Sequence, residues 1–494
     1  MKVVLVNPPS SYIPQEVISV SPPLGLLYLG AVLEQSGHYV RVVDVIAEGW
    51  RKPEIVKKNG KTSYCIDISN EHLSELVNGF DCDVFGISCL FVTTERTTLE
   101  LAQKVKKLKP SVKVVVGGVN ASARNDFLME CEAVDCIVIG EGEHALKDLI
   151  SAWEGGGDVD HIKGLVYRKD GVVVRNEGIN CVENLDELPF PAYHLLGNSM
   201  EEYFQGNFEG LFLEERVLPM CTSRGCVLNC VFCAGAKLFG KWRPRSPENV
   251  LREIEFLKEK FGVKEIAFTD SNINLDPMRF TKLLHMLDER KLGITWMPWG
   301  GIFAKTFSAD LIKLMKATGC HSIFMSVESG DPDMQKYIGK IVPLELARSI
   351  ASECRKYGIW THGNFVLGLP GETRKTMKRS FQYAKKAGFD SVSFFIAIPL
   401  PGTRYYEQIG SGQLQNKESL RFRTRDITWT EISAEELTST IRRFVISYAI
   451  FKVTTELFPW RLVERLCGLD ARSRKMFALN IRRSLRVLSE RLKG

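Results

Sequence analysis

Three cysteines carry the first chemical signal in this chain. Cys226, Cys230 and Cys233 lie in Thr222-Ser-Arg-Gly-Cys-Val-Leu-Asn-Cys-Val-Phe-Cys-Ala, a Cys-x3-Cys-x2-Cys spacing with Phe232 before the last thiol. Thiolates this close on one loop are soft ligands, suited to an iron–sulfur cluster or to zinc. Three thiolates on a four-iron cluster leave one iron open for another ligand. Counting Cys221 changes the reading: Cys-x4-Cys-x3-Cys-x2-Cys supplies four thiolates, enough for a closed zinc site or a fully ligated electron-transfer cluster. Cys221 also ends the strand-like run Val217-Leu218-Pro219-Met220, where a small buried residue is expected.

The elements that position this loop repeat a βα pattern. Strands are expected at Val217–Cys221, Glu265–Thr269, Thr295–Pro298, Ser322–Val327, Thr361–Leu367 and Ser391–Ile396. Helices are expected over Pro247–Phe261, Pro277–Arg290, Ser308–Thr318, Pro343–Tyr357 and Arg374–Ala387. Six such units predict a partial (βα)6 TIM-type barrel with its chemistry at the strand C-terminal ends. Those ends carry Asp270, Glu328-Ser329-Gly330, Asn364 and Gly368-Leu-Pro-Gly-Glu372-Thr373. A carboxylate there accepts hydrogen bonds from hydroxyl or ammonium groups, or simply caps a helix, as Asp270 and Glu372 are placed to do. Trp296 and Trp299 mark the third strand's end, as an apolar wall or as core. Arg224 stands beside the cysteines.

Residues 1 to about 145 alternate at a shorter period. Strands are expected at Lys2–Val6, Tyr39–Val43, Asp83–Ser88, Lys113–Val116 and Cys136–Ile139. Helices are expected at Leu26–Gln35, Glu71–Asn78, Thr94–Leu108 and His144–Glu154. This predicts a Rossmann-like, doubly wound parallel sheet with ligands beyond the strand C-terminal ends. Asn7-Pro8-Pro9, Gly117-Gly118 and Gly140-Glu141-Gly142 fall there. The glycines admit a flat ligand or serve only as turns. No Gly-x-Gly-x-x-Gly follows the first strand, which disfavours a dinucleotide. His38, after Gly37, reads as a surface turn residue.

The cysteine string resembles the signature of the radical S-adenosylmethionine (SAM) superfamily, in the branch with an N-terminal cobalamin-binding domain. Glu328-Ser329-Gly330, Gly368-Leu-Pro-Gly-Glu-Thr373, Pro401-Gly402-Thr403, Pro22-Pro-Leu-Gly-Leu26, Gly117-Gly118 and Gly140-Glu-Gly-Glu143 add to the likeness. The resemblance implies a 4Fe–4S cluster on Cys226, Cys230 and Cys233. The open iron chelates SAM, and one-electron reduction yields a 5′-deoxyadenosyl radical. It implies SAM contacts at Phe232, Asp270, Glu328 and Asn364, and cobalamin contacts at Asn7, Gly117, Gly118, Gly140 and Glu141. It demotes the zinc reading. The cobalt-ligating Asp-x-His-x-x-Gly motif is absent, as is common in this branch.

The expected activity is cobalamin-dependent methylation of an unactivated carbon. The alternative is radical cyclisation, carbon–carbon coupling or oxidation of a lipid or tetrapyrrole-like substrate. Either implies a small-molecule or lipid substrate and a one-electron reductant such as flavodoxin or ferredoxin.

Domains are expected at 1–150, a linker with a hairpin at 151–215, the catalytic domain at 216–430 and a helical tail at 431–494. The chain has 494 residues, enough for two or three cores. Its net charge of +6 is too mild to argue for nucleic acid. Thirteen cysteines without a regular framework point to a reducing, cytoplasmic compartment. No apolar leader precedes Val3-Val4-Leu5-Val6, and Pro22-Pro23 and Gly25 break the uncharged run from Val17 to Leu33. A helix is expected over Glu435–Phe458, packed on the barrel. Basic amphipathic segments at 460–466 and 481–492 suggest a solvated face, or contact with a membrane surface.

Overall fold

The computed structural model describes residues 1–12, 20–58, 61–205, 212–409, 432–456, 470–475 and 478. The chain forms two compact units. One comprises Met1–Asn207 with Gly235–Arg243 and Lys417–Arg421, the other Phe208–Ala234, Pro244–Asn416 and Phe422–Gly494.

In the first unit, five β-rich runs form a parallel sheet: Lys2–Asn7, Tyr39–Asp44, Val84–Ser88, Lys113–Gly117 and Cys136–Val138. Numbered as they come in the chain, these five lie in the order 2-1-3-4-5. Winding reverses between the first and third, Lys2–Asn7 and Val84–Ser88, so the crevice outside their C-terminal ends is the topological switch point. Runs such as Val3-Val4-Leu5-Val6 are apolar on both faces because helices cover both sides. The hairpin Leu165–Lys169 and Val172–Arg175 turns at Asp170-Gly171, both at positive φ. It does not stand apart as a linker but extends this sheet antiparallel to Cys136–Val138.

Sequence reading overlooked a second, three-stranded antiparallel sheet of Ser10–Tyr12, Lys61–Ile66 and Glu54–Lys58. His38 is not a surface turn residue. It is buried at the N-terminal end of the main sheet, beside the chain's amino group and Glu154.

The second unit holds the six expected strands, all parallel. Val217–Met220, Glu265–Phe268 and Thr295–Pro298 form one sheet; Ser322–Glu328, Trp360–Leu367 and Ser391–Ile396 form another. An isolated bridge between Trp296 and Cys320 joins the two in sequence order. The intervening helices start and stop where local chemistry dictates. Ser246 accepts from the amide of Asn249 ahead of Pro247–Phe261, and Gly262 ends that helix in the left-handed region. Asp276, Ser308 and Thr373 cap later helices in the same way.

The expected C-terminal helix spans Ala434–Glu456. It lies on the second sheet's outer layer: Phe444 stacks on Phe381 at 4.2 Å, and Tyr448 donates to the Phe389 carbonyl at 2.7 Å. The basic segments at 460–466 and 481–492 lie outside the described residues. Among those described, no helix is long and apolar enough to cross a membrane.

Candidate active site

The cysteine loop leaves the C-terminal end of the strand Val217–Met220 and is braced at its root. Asp270, fully buried, accepts from the Thr222 amide (3.0 Å), the Thr222 hydroxyl (2.7 Å) and the Ser223 hydroxyl (2.5 Å). Two buried arginines complete the brace: Arg245 donates to the Cys221 carbonyl and Arg279 to the Thr222 carbonyl, each at 2.9 Å. Asp270 thus has a bracing role that its expected contact with SAM did not include. Its oxygens hold the root of the loop in place.

Farther along, the loop is pinned at both sides. The Val231 amide donates to the Ile338 carbonyl and the Tyr405 amide to the Val231 carbonyl, both at 2.8 Å; Arg404 donates to the Asn229 carbonyl at 2.6 Å. Val231 and Cys230 sit in an apolar cluster with Ile338, Leu369 and Tyr405, against which Phe232 packs. Phe232 therefore anchors the loop as well as flanking the last thiol.

Within this frame Cys230 is buried, Cys226 half-buried and Cys233 exposed. Cys226 accepts from the buried Asn272 side chain (3.6 Å) and from the Leu228 amide (3.4 Å). Burial pushes the Cys230 thiol up to about 12; Lys340 opposes this, while Glu328, Cys233 and Cys226 add to it. Three neighbouring thiols on one braced loop are the soft, electron-rich donors that an iron–sulfur cluster takes. The donor set therefore fits the cluster. Cys221 does not join it. Its sulfur donates to the Ser223 carbonyl at 2.9 Å, and its thiol, pushed up to about 12 by burial, feels Asp270, Arg224 and Arg245 rather than the other three sulfurs. Among the described residues no three His, Cys, Asp or Glu side chains gather tightly enough to share one metal ion.

Glu328 closes its strand with φ of +66°, after a register shift at Ser326/Glu328. A non-glycine residue in the left-handed region stores strain that ordinary packing does not require. Its buried carboxylate accepts from Lys340 Nζ at 3.0 Å. Sequence reading missed Lys340, and nothing local betrays it: Gly339, at φ +82°, ends a short helix and turns the lysine back toward Glu328. Asn272 was missed as well, because an amide aimed at sulfur has no sequence signature. Beside Lys340 lies a cavity of about 230 Å³ lined by Leu228, Ile302, Phe303 and Val342. Asn364 is half-buried on the middle strand of the second sheet.

Trp296 is core: fully buried, donating to the Thr318 carbonyl and meeting Phe268 and Phe280 edge-on. Trp299 is half-buried and stacks on Phe212 at 4.9 Å. Glu372 does not cap a helix. It accepts from the Gly368 amide at 2.5 Å and closes its own loop. Burial raises its carboxyl to about 7, against the hydrogen bonds from Gly368 and Leu369. A folded-state value above the unfolded 4.5 means that stability is fully present below about pH 4.5. It is lost as pH rises toward about 7, by about 3 kcal/mol at most. Urea titrations at pH 5 and 7.5 will show this loss in the wild type and a flatter profile in Glu372→Gln.

In the first unit, the switch point gathers Asn7, Ser88, Cys89, Leu90 and Phe91. Asn7 donates to Asp44 at 2.8 Å, and Leu90 and Phe91 are exposed. The glycines expected there divide. A Cβ on Gly117 would meet nothing, so packing within the fold does not require glycine there. On Gly118 (φ +108°) it would stand 2.8 Å from the Cys89 carbonyl oxygen, and on Gly140 (φ +86°) 2.4 Å from that of Asn180. Close backbone contact alone requires glycine at these two positions. Gly118→Ala will cost about 2–4 kcal/mol, read as a fall in thermal midpoint, whereas Gly117→Ala will stay within about 1 kcal/mol.

Glu141 is also corrected. It is buried in a two-pronged ion pair with Arg243, at 2.7 and 3.0 Å, and accepts from the Val182 amide at 2.6 Å. Its oxygens are occupied within the protein. The switch point keeps Gly117 uncrowded and the apolar side chains of Leu90 and Phe91 exposed.

A thiol loop at the end of a parallel-strand unit and, elsewhere in the same chain, a flavodoxin-like unit with an open switch point define a two-domain cofactor enzyme. Residues 220–384 match the family model of the radical SAM superfamily, and residues 15–150 match that of the B12 binding domain. The chain belongs to the radical SAM superfamily, in the branch that carries a B12-binding domain, and is an enzyme of that class. It is 31% identical over 455 residues to an uncharacterized methyltransferase, PH0819, of Pyrococcus horikoshii, covering 91% of this chain and 92% of that one. It is 29% identical to the cytidylyl-2-hydroxyethylphosphonate methyltransferase of Streptomyces wedmorensis, covering 85% and 84%. In fold it resembles the radical SAM methyltransferase TsrM of Kitasatospora setae, solved with cobalamin and a [4Fe-4S] cluster. The TM-score is 0.67 at 19% identity, over 85% of this chain and 79% of that one.

Proposed function

We propose that the protein is a cobalamin-dependent radical SAM methyltransferase acting on a small molecule, with a one-electron reductant such as flavodoxin or ferredoxin. The observation that carries this reading is the pairing, in one chain, of a three-thiol loop with a sheet whose switch point is apolar and open at Gly117. When bound, the cluster and SAM supply a 5′-deoxyadenosyl radical that takes a hydrogen atom from carbon, and cobalamin supplies the methyl carrier.

The chain's own residues do the placing. Cys226, Cys230 and Cys233 hold the cluster, and Asn272 donates to the Cys226 sulfur. Lys340 is set to receive the carboxylate of SAM and Glu328 its ammonium group or ribose hydroxyls. The two side chains hold one another in place at 3.0 Å. Phe232 keeps the loop seated. Asn7, Gly117, Leu90 and Phe91 would line the corrin site; Gly118, Gly140 and Glu141 shape the turns at these strand ends.

The test uses the full chain, reconstituted anaerobically with iron, sulfide and hydroxocobalamin and given SAM with a deuterated methyl group. After gel filtration the reduced protein retains corrinoid, and the extracted corrinoid gains the mass of one CD3 group. A chain that cleaves SAM but retains no corrinoid, or whose corrinoid never gains the label, overturns the methyltransferase reading.

A further inference from the structure

We propose that the inner face of the sheet Ser322–Glu328, Trp360–Leu367 and Ser391–Ile396 binds the substrate. The ligand it fits is a flat ring compound bearing a hydrogen-bond-accepting oxygen, read by His362 through Ser393. This names the substrate class for the reaction proposed above and rests on that reading.

The middle strand alternates along its length. Thr361, Gly363, Phe365 and Leu367 are buried, whereas Trp360, His362, Asn364 and Val366 are half-buried. The buried set faces the helix layer: Phe365 meets Tyr383 and Phe389 edge-on, and a Cβ on Gly363 would strike the Phe389 ring. The half-buried set therefore faces away from the helices. Register places Phe324 beside His362 and Ser326 beside Asn364 on one side, and Ser391 beside His362 and Ser393 beside Asn364 on the other. The result is a polar band across three strands, on a face that stays half-buried among the described residues.

The band is one continuous hydrogen-bonded chain. Trp360 Nε1 donates to Ser391 Oγ at 3.0 Å; Ser391 Oγ lies 2.6 Å from His362 Nδ1; His362 Nε2 lies 3.0 Å from Ser393 Oγ. With the ring proton on Nε2, Ser391 donates to Nδ1, Nε2 donates to Ser393, and the Ser393 hydroxyl proton is left to donate outward. Among the described residues, Ser326 and Asn364 make no side-chain hydrogen bond, so two further polar groups wait beside Ser393. A purely structural polar cluster satisfies its members internally. Here, among the described residues, the side chains of Ser326 and Asn364 have no internal partner, and an oxygen acceptor at Ser393 completes the band.

An aromatic row leads up to this band. Phe212 and Trp299 stack at 4.9 Å, Trp299 and Phe324 at 6.2 Å, and Phe324 meets the His362 ring at 5.2 Å. All four are half-buried, and Phe395, on the neighbouring strand, is 52% exposed. Such a row accepts a flat apolar body, with the polar end of the ligand delivered to Ser393.

The test uses the full chain with its cluster reconstituted, SAM present, and two probes: 1-naphthylacetate and its oxygen-free counterpart 1-ethylnaphthalene. Binding is followed anaerobically by ligand-observed NMR, and SAM cleavage is measured on the same samples. Both probes bind the wild type. Ser393→Ala and His362→Phe weaken 1-naphthylacetate about tenfold and leave 1-ethylnaphthalene within about twofold, and Ser393→Thr restores the acid. Phe324→Ala weakens both. Binding of neither probe to the wild type, or equal binding of the acid to wild type and Ser393→Ala, overturns the assignment. Because cluster content and deoxyadenosine formation are read separately, such a result leaves the methyltransferase reading to stand or fall on its own.

Discussion

Replacing any one of Cys226, Cys230 and Cys233 with alanine will lower reductive SAM cleavage by about three orders of magnitude or more, whereas Cys221→Ala will retain it. The contrast follows from where the sulfurs point. Cys226, Cys230 and Cys233 share a loop pinned by Ile338, Tyr405 and Arg404, and the Cys230 thiol responds electrostatically to the other two. Cys221 instead donates to Ser223 within the brace at the loop's root. Removing a cluster ligand leaves two thiolates to hold four irons, and the cube is lost. Removing Cys221 forfeits one weak S–H contact. Iron and sulfide content, the visible absorption of the reconstituted chain and deoxyadenosine yield decide the matter together. Loss of iron in Cys221→Ala equal to that in Cys226→Ala would restore the four-thiolate reading.

The second large effect is in the first unit. Arg243→Ala or Glu141→Ala will destabilise the cofactor-free protein by about 3–5 kcal/mol, because each leaves a buried charge without its partner. Both prongs of the pair lie inside the fold, and Arg243 also donates to the Val182 and Phe239 carbonyls. Glu141→Gln, which keeps an acceptor for the Val182 amide, will cost less. Equilibrium unfolding without cobalamin is the informative condition. A residue whose purpose is to touch the corrin changes nothing there, so an unaltered midpoint in Glu141→Ala would return Glu141 to the ligand.

Glu141 also shows where sequence reading stops. A glutamate between two glycines at a strand end looks the same whether it faces a ligand or an arginine a hundred residues away. Asp270 posed the same ambiguity, and its partners, Thr222 and Ser223, belong to another strand's loop. Gly117 and Gly118 are adjacent and identical in sequence, yet only the second is squeezed against Cys89. Burial separated Trp296 from Trp299 although only two residues lie between them. In contrast, the strands and helices were legible because their signals are local. Val3-Val4-Leu5-Val6 is apolar on both faces, and Ser246-Pro247 opens a helix that Gly262 closes. The overlooked antiparallel sheet had a local signal too: Asn59-Gly60 stands between the strands that pair Lys58 with Lys61. Lys340 and His362 were illegible for a different reason. Their meaning depends on Glu328 and on two serines of a neighbouring strand, which only the register brings together.

The central claim is that three thiolates leave one iron open for SAM. The most direct measurement is electron paramagnetic resonance of the reduced, anaerobically reconstituted full chain before and after SAM, with metal content and deoxyadenosine determined on the same sample. The account predicts one four-iron cluster per chain, a changed signal when SAM is added, and deoxyadenosine formed in consequence. One zinc held by four thiolates, or a cluster whose signal ignores SAM and yields no deoxyadenosine, would contradict it.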